Sequence, residues 1–183
     1  MIDLAQAGDV WRVTLNRPEK ANALTAAMLQ ELVEIAEAAQ AARAVIITAN
    51  GSVFSAGADL DEMRAGLATS PLWERLSRAI ATLPGLSIAA LNGTLVGGAM
   101  GMVLACDIRL AVPATSFFYP VMKRGFLPQP SDSQRMRALI GPARTKLILM
   151  AGQKLTAQQA LQYGLIERVV EPNQLLTTAL DFA

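Results

Sequence analysis

Two short stretches carry the residue types that chemistry at a main-chain site needs. Phe54-Ser55-Ala56-Gly57-Ala58-Asp59-Leu60 follows one apolar run, and Asn92-Gly93-Thr94-Leu95-Val96-Gly97-Gly98 follows another. Each places small residues where a backbone must come close to something. Two separated N–H groups converging on one oxygen would make an oxyanion hole, the device that stabilises an enolate. Glycines at a helix opening also leave free N–H groups reachable by a ligand oxygen, at the positive end of the helix dipole. The same glycines would equally serve close strand–helix packing, and taken alone the residues leave both readings open. A dinucleotide fingerprint is a poor fit: the glycine spacing is wrong and the next acid, Asp107, comes too early. A phosphate-binding P-loop is excluded, since no Gly-Lys-Ser/Thr follows.

The elements that must position these stretches can be read from periodicity. Trp11, Val13 and Leu15 alternate with Arg12 and Thr14, predicting a half-buried strand. Thr25 caps a helix with Met28, Leu32, Ile35 and Ala39 on one face. Ala44–Thr48 reads as a buried strand, Leu60–Arg64 as a short helix, Ala65–Pro71 as a mobile loop and Leu72–Thr82 as a helix. Ser87–Leu91 and Ile108–Ala111 read as strands flanking a buried helix over Gly97–Ala105, and Phe117–Val121 as a further strand. Beyond Pro130 the pattern turns helical. Ser131 or Ser133 caps a helix through Leu139, Pro142 opens one that Gly152 ends, and Thr156 caps Ala157–Tyr163 with Gly164 as its stop. A short strand over Ile166–Val170 and a helix from Pro172 complete the pattern. Strand–helix alternation followed by helices predicts an α/β fold, with a core over residues 1–130 and an incomplete helical extension over 131–183.

Composition narrows the chemistry. The chain has 183 residues, no His and one Cys, so a His-based triad, a zinc site and a Cys–His pair are excluded within it, and no metal site is expected. Cys106 is expected to be a core residue in a reducing compartment. The net charge of +1 gives no reason to expect nucleic acid or anionic membrane as a partner. Apolar residues at 52% against 17% charged predict buried subunit contacts. The uncharged run from Ala79 to Cys106 is punctuated by Pro84-Gly85 and Asn92-Gly93, so it reads as strand, turn and helix rather than a membrane span. Met1-Ile2-Asp3-Leu4 shows no signal peptide, and a cytoplasmic location is expected.

Four motifs in order resemble the crotonase (enoyl-CoA hydratase/isomerase) superfamily: Asn16-Arg17-Pro18 with Asn22-Ala23-Leu24; Phe54 to Leu60; Asn92-Gly93, Gly97-Gly98 and Ala105-Cys106-Asp107-Ile108-Arg109-Leu110-Ala111; and Ala160 with Gly164-Leu165-Ile166 and Val169-Val170. The resemblance implies a crotonase-like spiral of ββα units with a helical C-terminal part, truncated relative to the family, assembled as a homotrimer or hexamer. It implies an acyl-CoA thioester as substrate, with coenzyme A entering as part of that substrate and no permanently bound cofactor. The Ala58 and Gly98 N–H groups would form the oxyanion hole. Asn22, Ala23, Leu24, Asp59 and Leu60 would lie along the coenzyme A path, and Ala56, Gly57, Gly97, Val121 and Gln129 are further candidate substrate-binding residues. Asp59 is expected to shape its loop or cap a helix.

The chain departs from the family where its hydratases carry two glutamates. Gly101 takes the place of one and Val121 of the other, and neither can move a proton. Pro128-Gln129-Pro130-Ser131-Asp132 replaces the usual glycine-rich segment. Classical hydration is therefore not expected. Decarboxylation or C–C cleavage, in which the departing group itself generates the enolate, needs less acid–base help. Tyr119 and Glu74 are the candidate side chains for chemistry; Glu62, Lys123, Arg124 and Asp132 stand near the same segments. The alternative is a catalytically inactive acyl-CoA-binding or assembly protein on the same scaffold.

Overall fold

A computed structural model describes residues 1–183, and its elements alternate between two sheets. Strands β1 (Ile2–Ala7) and β2 (Val10–Leu15) form an antiparallel hairpin, followed by helix α1 (Ala26–Ala38). The Thr25 hydroxyl caps α1 by accepting the Met28 N–H at 3.2 Å. Three units of similar plan follow. β3 (Ala44–Ala49) and β4 (Val53–Ser55) lead into α2 (Leu60–Arg64) and α3 (Leu72–Ala81). β5 (Leu86–Leu91) and β6 (Thr94–Val96) lead into α4 (Met100–Leu104), through one 3₁₀ turn over Gly97–Ala99. β7 (Ile108–Ala111) and β8 (Ser116–Phe118) lead into α5 (Pro130–Leu149). The chain closes with β9 (Leu155–Thr156), α6 (Ala157–Tyr163), β10 (Arg168–Val169) and α7 (Leu175–Phe182).

Each unit sends its first strand to a six-stranded sheet of order β1-β2-β3-β5-β7-β10 and its second to a four-stranded sheet of order β4-β6-β8-β9. This is the spiral of ββα units that the motifs predict. The turn between paired strands must be tight, and Gly93 shows why: a Cβ there would lie 2.0 Å from the Ser52 carbonyl oxygen of the preceding unit.

The larger sheet is covered on both faces, which explains its unbroken apolar strands. Val45, Ile47, Ala89 and Leu91 face the main core under α1, α3 and α4. Ile46, Ile88, Ala90 and Leu110 face the other way, against Leu175 and Ala179 of α7. β10 pairs with β7 and β9 with β8, so the C-terminal part adds a strand to each sheet. No helix is long and apolar enough to cross a membrane.

The structure corrects several sequence expectations. β1 was not anticipated, because only Ile2 of its six residues is buried. Residues 65–71, expected to be a loop, contain a 3₁₀ turn over Leu67–Thr69 with Leu67 buried. β8 ends at Phe118, and Val121–Arg124 turns as 3₁₀ helix instead of continuing the expected strand to Val121. Pro120, which cannot donate to a ladder, stands at that switch. α5 begins at Pro130, ahead of both expected serine caps, and continues past Leu139 to a break at Gly141, where φ is 78° and Pro142 restarts the helix. The Ile166–Val170 strand is reduced to Arg168–Val169.

Candidate active site

β4, β6 and β8 lie side by side and parallel in the smaller sheet. Their C-terminal ends therefore emerge at one edge, the place where open sheets of this kind offer backbone and loops to ligands. Ala58 follows β4, Gly98 follows β6 and Tyr119 follows β8, and all three line one cavity of about 500 Å³. The two stretches singled out by their small residues thus meet in space.

The loop after β4 is fixed from below. Asn22 is fully buried; its amide donates to the carbonyls of Asn50 and Val53, both at 2.8 Å, and its Oδ1 accepts the Arg17 N–H at 2.8 Å. The Ser55 hydroxyl donates to the Asn22 carbonyl at 2.8 Å and accepts the Gly57 N–H at 3.2 Å. Leu24 then bridges the loop: its N–H donates to the Gly57 carbonyl at 2.7 Å, and its carbonyl accepts the Asp59 N–H at 2.9 Å. That pairing engages the groups on either side of Ala58 and leaves the Ala58 N–H without a partner. Gly57, at φ 88°, is pressed against the β6 loop; a Cβ there would come within 2.8 Å of the Val96 carbonyl oxygen. Gly98 sits in the opening turn after β6, where a helix cannot satisfy its own N–H groups. Trp73 seals its other side, since a Cβ on Gly98 would stand 3.2 Å from the indole ring. The Trp73 ring is locked by its N–H, which donates to the Leu67 carbonyl at 2.8 Å.

Most of the residues expected at the site line the cavity: Ala23, Ala56, Ala58, Asp59, Leu60, Gly97, Gly98, Tyr119, Val121 and Gln129. Asn22, Leu24 and Gly57 act from behind the wall in the way just described. Asp59 caps α2 through the Asp61 N–H at 3.1 Å and pairs with Arg17 at 2.7 Å, which holds its carboxyl below the usual carboxylate range. Glu74 does not reach the cavity lining. Its carboxylate accepts the Ser131 N–H at 3.3 Å and the Ser131 hydroxyl at 2.9 Å, holding the first turn of α5. Glu62 likewise accepts the Ala26 N–H at 2.6 Å, at the start of α1. Cys106 is buried, and burial pushes its thiol up to about 12. No group of His, Cys, Asp or Glu is arranged to hold a metal ion.

Of Lys20, Arg64, Trp73, Arg124, Phe126 and Leu127, which also line the cavity, the sequence pointed only to Arg124 and did not foresee the others. Lys20, Arg64 and Arg124 bring cationic side chains to the cavity, and Trp73, Phe126 and Leu127 bring apolar surface. Lys20, Arg64 and Arg124 are scattered along the chain and share no motif. Nor did it foresee the partnership behind Tyr119. The Tyr119 hydroxyl donates to the carboxylate of Asp132, which is fully buried in the first turn of α5. A Cβ on Gly101 would lie 2.8 Å from Asp132 Oδ1, so this carboxyl occupies the space that a side chain at 101 would fill. Asp132 Oδ1 has no hydrogen-bond partner. Burial pushes the Asp132 carboxyl up to about 6, with Glu74 raising it further and Tyr119 and Arg135 pulling it down. Burial and the Asp132 charge hold the Tyr119 phenol well above its ordinary value.

The chain matches the family model described as enoyl-CoA hydratase/isomerase over residues 5–183. It is 33% identical over 189 residues to the short-chain-enoyl-CoA hydratase of Clostridium acetobutylicum, covering 98% of this chain and 72% of that protein. It is 36% identical over 181 residues to the 2,3-dehydroadipyl-CoA hydratase of Escherichia coli, covering 93% of this chain and 69% of that one. The crystal structure of an enoyl-CoA hydratase from Bacillus anthracis superposes with a TM-score of 0.90 at 34% identity, covering 99% of this chain and 74% of that one.

Proposed function

This chain belongs to the enoyl-CoA hydratase/isomerase family, and from that premise we propose that it processes an acyl-CoA thioester by stabilising its enolate between the Ala58 and Gly98 amides. The observation that carries the proposal is the convergence of these two residues, from the ends of neighbouring parallel strands, on one cavity with the Ala58 N–H unpaired. When charge moves from the α-carbon onto the thioester oxygen, fixed donors gain strength without having to reorganise, because the loops that hold them are already bonded and packed. The Gly57–Val96 contact and the Trp73–Gly98 contact supply that rigidity. Lys20, Arg64 and Arg124 would meet the anionic part of coenzyme A, and the apolar lining would take the acyl chain.

The reaction that follows enolate formation is not classical hydration. Gly101 and Val121 stand where the resemblance calls for two glutamates, so no acid occupies either position to activate water. The expected result is binding of CoA thioesters with weak or absent hydration of crotonyl-CoA, measured by calorimetry and by loss of enoyl absorbance. Crotonyl-CoA hydration at rates normal for an efficient enzyme would overturn the exclusion of hydration; failure of a panel of thioesters to bind would overturn the whole reading.

A further inference from the structure

Asp132 is a destabilising residue to keep. It is fully buried, one of its oxygens has no partner, and an unpaired buried acceptor costs stability. Its other oxygen holds the hydroxyl of Tyr119, a residue of the cavity wall that is itself only 1% exposed, so substrate must come against it inside the cavity to meet it. The carboxyl reaches this place only because Gly101 has no side chain. Gly101 follows Gly98 by three residues, so the pair lies about one helical turn from the Gly98 amide. A proton-carrying group is thereby present beside the oxyanion donors, although no acid stands at 101 or 121.

Resting on the acyl-CoA reading above, we propose that Tyr119 and Asp132 form a two-member proton relay serving the α-carbon of the bound thioester. In the forward step the α-C–H bond breaks and its electron pair becomes the enolate double bond. The carbonyl pair moves onto the oxygen facing Ala58 and Gly98. The proton goes to the Tyr119 hydroxyl oxygen, and the phenol's own proton passes to Asp132 Oδ2. Asp132 ends neutral and the enolate carries the charge, so no tyrosinate accumulates beside a carboxylate. Reversal returns a proton to carbon. Tyr119 is the catalytic residue and Asp132 the positioning and proton-storing residue behind it.

The electrostatic setting agrees. A buried carboxylate gains more from taking up a proton than an exposed one does. The groups facing Asp132 are Tyr119 after β8, Arg135 on its own helix and Glu74 on α3, and the rise of its carboxyl to about 6 is their net result with burial. The relay then works in its basic form above that pH. Substrates with acidified α-protons, such as arylacetyl or β,γ-unsaturated thioesters, fit best.

The test is exchange of α-hydrogens into D2O, followed by mass spectrometry on phenylacetyl-CoA, butyryl-CoA and 3-hexenoyl-CoA, with binding of each measured separately by calorimetry. The full chain is expected to catalyse exchange with at least one of them. Tyr119→Phe should lower the exchange rate by about 100-fold or more, and Asp132→Asn by about 10-fold or more, with binding changed by less than about threefold. The wild-type rate should rise with pH to a plateau above about 6, and Asp132→Asn should lose that limb. Thioester binding without exchange, or full exchange by Tyr119→Phe, overturns the relay while leaving the binding reading intact. No binding of any thioester overturns both.

Discussion

The loops after β4 and β6 and the segment after β8 hold equivalent places in three successive units, yet they offer the cavity different chemistry. The first two present main-chain amides, at Ala58 and Gly98. The third presents a phenol, Tyr119, backed by a buried carboxyl. The amide wall is held by hydrogen bonds that Asn22 and Leu24 make to the chain around β4, some 28 to 35 residues further on, and by glycines at which a Cβ would crowd its neighbours. The side-chain wall depends on α5, the helix of the same unit, being pinned in place by Glu74 of α3, in the first of the three units, through Ser131. One wall is main chain, aimed by bonds and close packing around glycines; the other is side chain, and it exists because α5 docks with Asp132 in the space beside Gly101.

The sharpest way to break this contrast is Gly98→Ala, whose Cβ would press on the locked Trp73 ring at 3.2 Å and push the amide off its target. Losing one oxyanion donor typically costs about 3–4 kcal/mol of barrier, so α-exchange should fall by about 100- to 1,000-fold with thioester binding retained. Exchange unchanged would mean the Gly98 amide takes no part.

The side-chain wall can be read through pH. Burial raises the Asp132 carboxyl in the folded chain to about 6, from the 3.8 of an ordinary aspartate. The folded chain therefore binds more protons than the unfolded chain between those values, and stability falls as pH rises through that window, then levels off. A rise of that size corresponds to about 3 kcal/mol, and the difference in unfolding free energy between wild type and Asp132→Asn should follow that slope from about pH 4 to 7. A flat difference curve would show that the carboxyl is not desolvated as described.

Gly101→Ala sharpens the comparison between the two walls at the point where they touch. Its Cβ would crowd Asp132 at 2.8 Å, and overpacking of this kind costs about 1–3 kcal/mol. Denaturant titration should show that cost largely vanish in an Asp132→Ala background, because the two residues share one space. Additive effects would separate them. The smallest effect is expected at the rim, where Arg17→Ala frees a partly exposed Asp59. Asp59 is held below its usual range by Arg17, so its contribution is present above the unfolded value and fades as pH drops through the folded one. Arg17→Ala should weaken that acid dependence and shift Tm only slightly.

Local signals were legible because they act over a few residues. Thr25 and Thr156 cap the helices that follow them, Gly164 ends α6 in a left-handed conformation, and strand periodicity located β2, β3, β5 and β7. The placement of Phe54 to Leu60 and Asn92 to Gly98 after apolar runs already pointed to two loops of one kind. β1 was hidden because its exposed face carries no apolar alternation. The turn at Pro120 was hidden because Phe117-Phe118-Tyr119 reads as strand until the proline's missing N–H is weighed. Glu74 looked available for chemistry until α5 was seen to need its carboxylate.

The sequence alone determined an α/β alternation with a helical tail, the two glycine-bearing loops and the absence of histidine and of acids at 101 and 121, since each depends on residue identity and short-range spacing; the ββα spiral came from the family resemblance. Only the tertiary structure decided that Asp132 fills the space beside Gly101 and holds the Tyr119 hydroxyl. Those three residues come from α4, the segment after β8 and the first turn of α5, and no periodicity along a chain encodes which empty space a side chain from another helix will enter. Packing does, because a buried carboxyl must settle where room and at least one donor coincide.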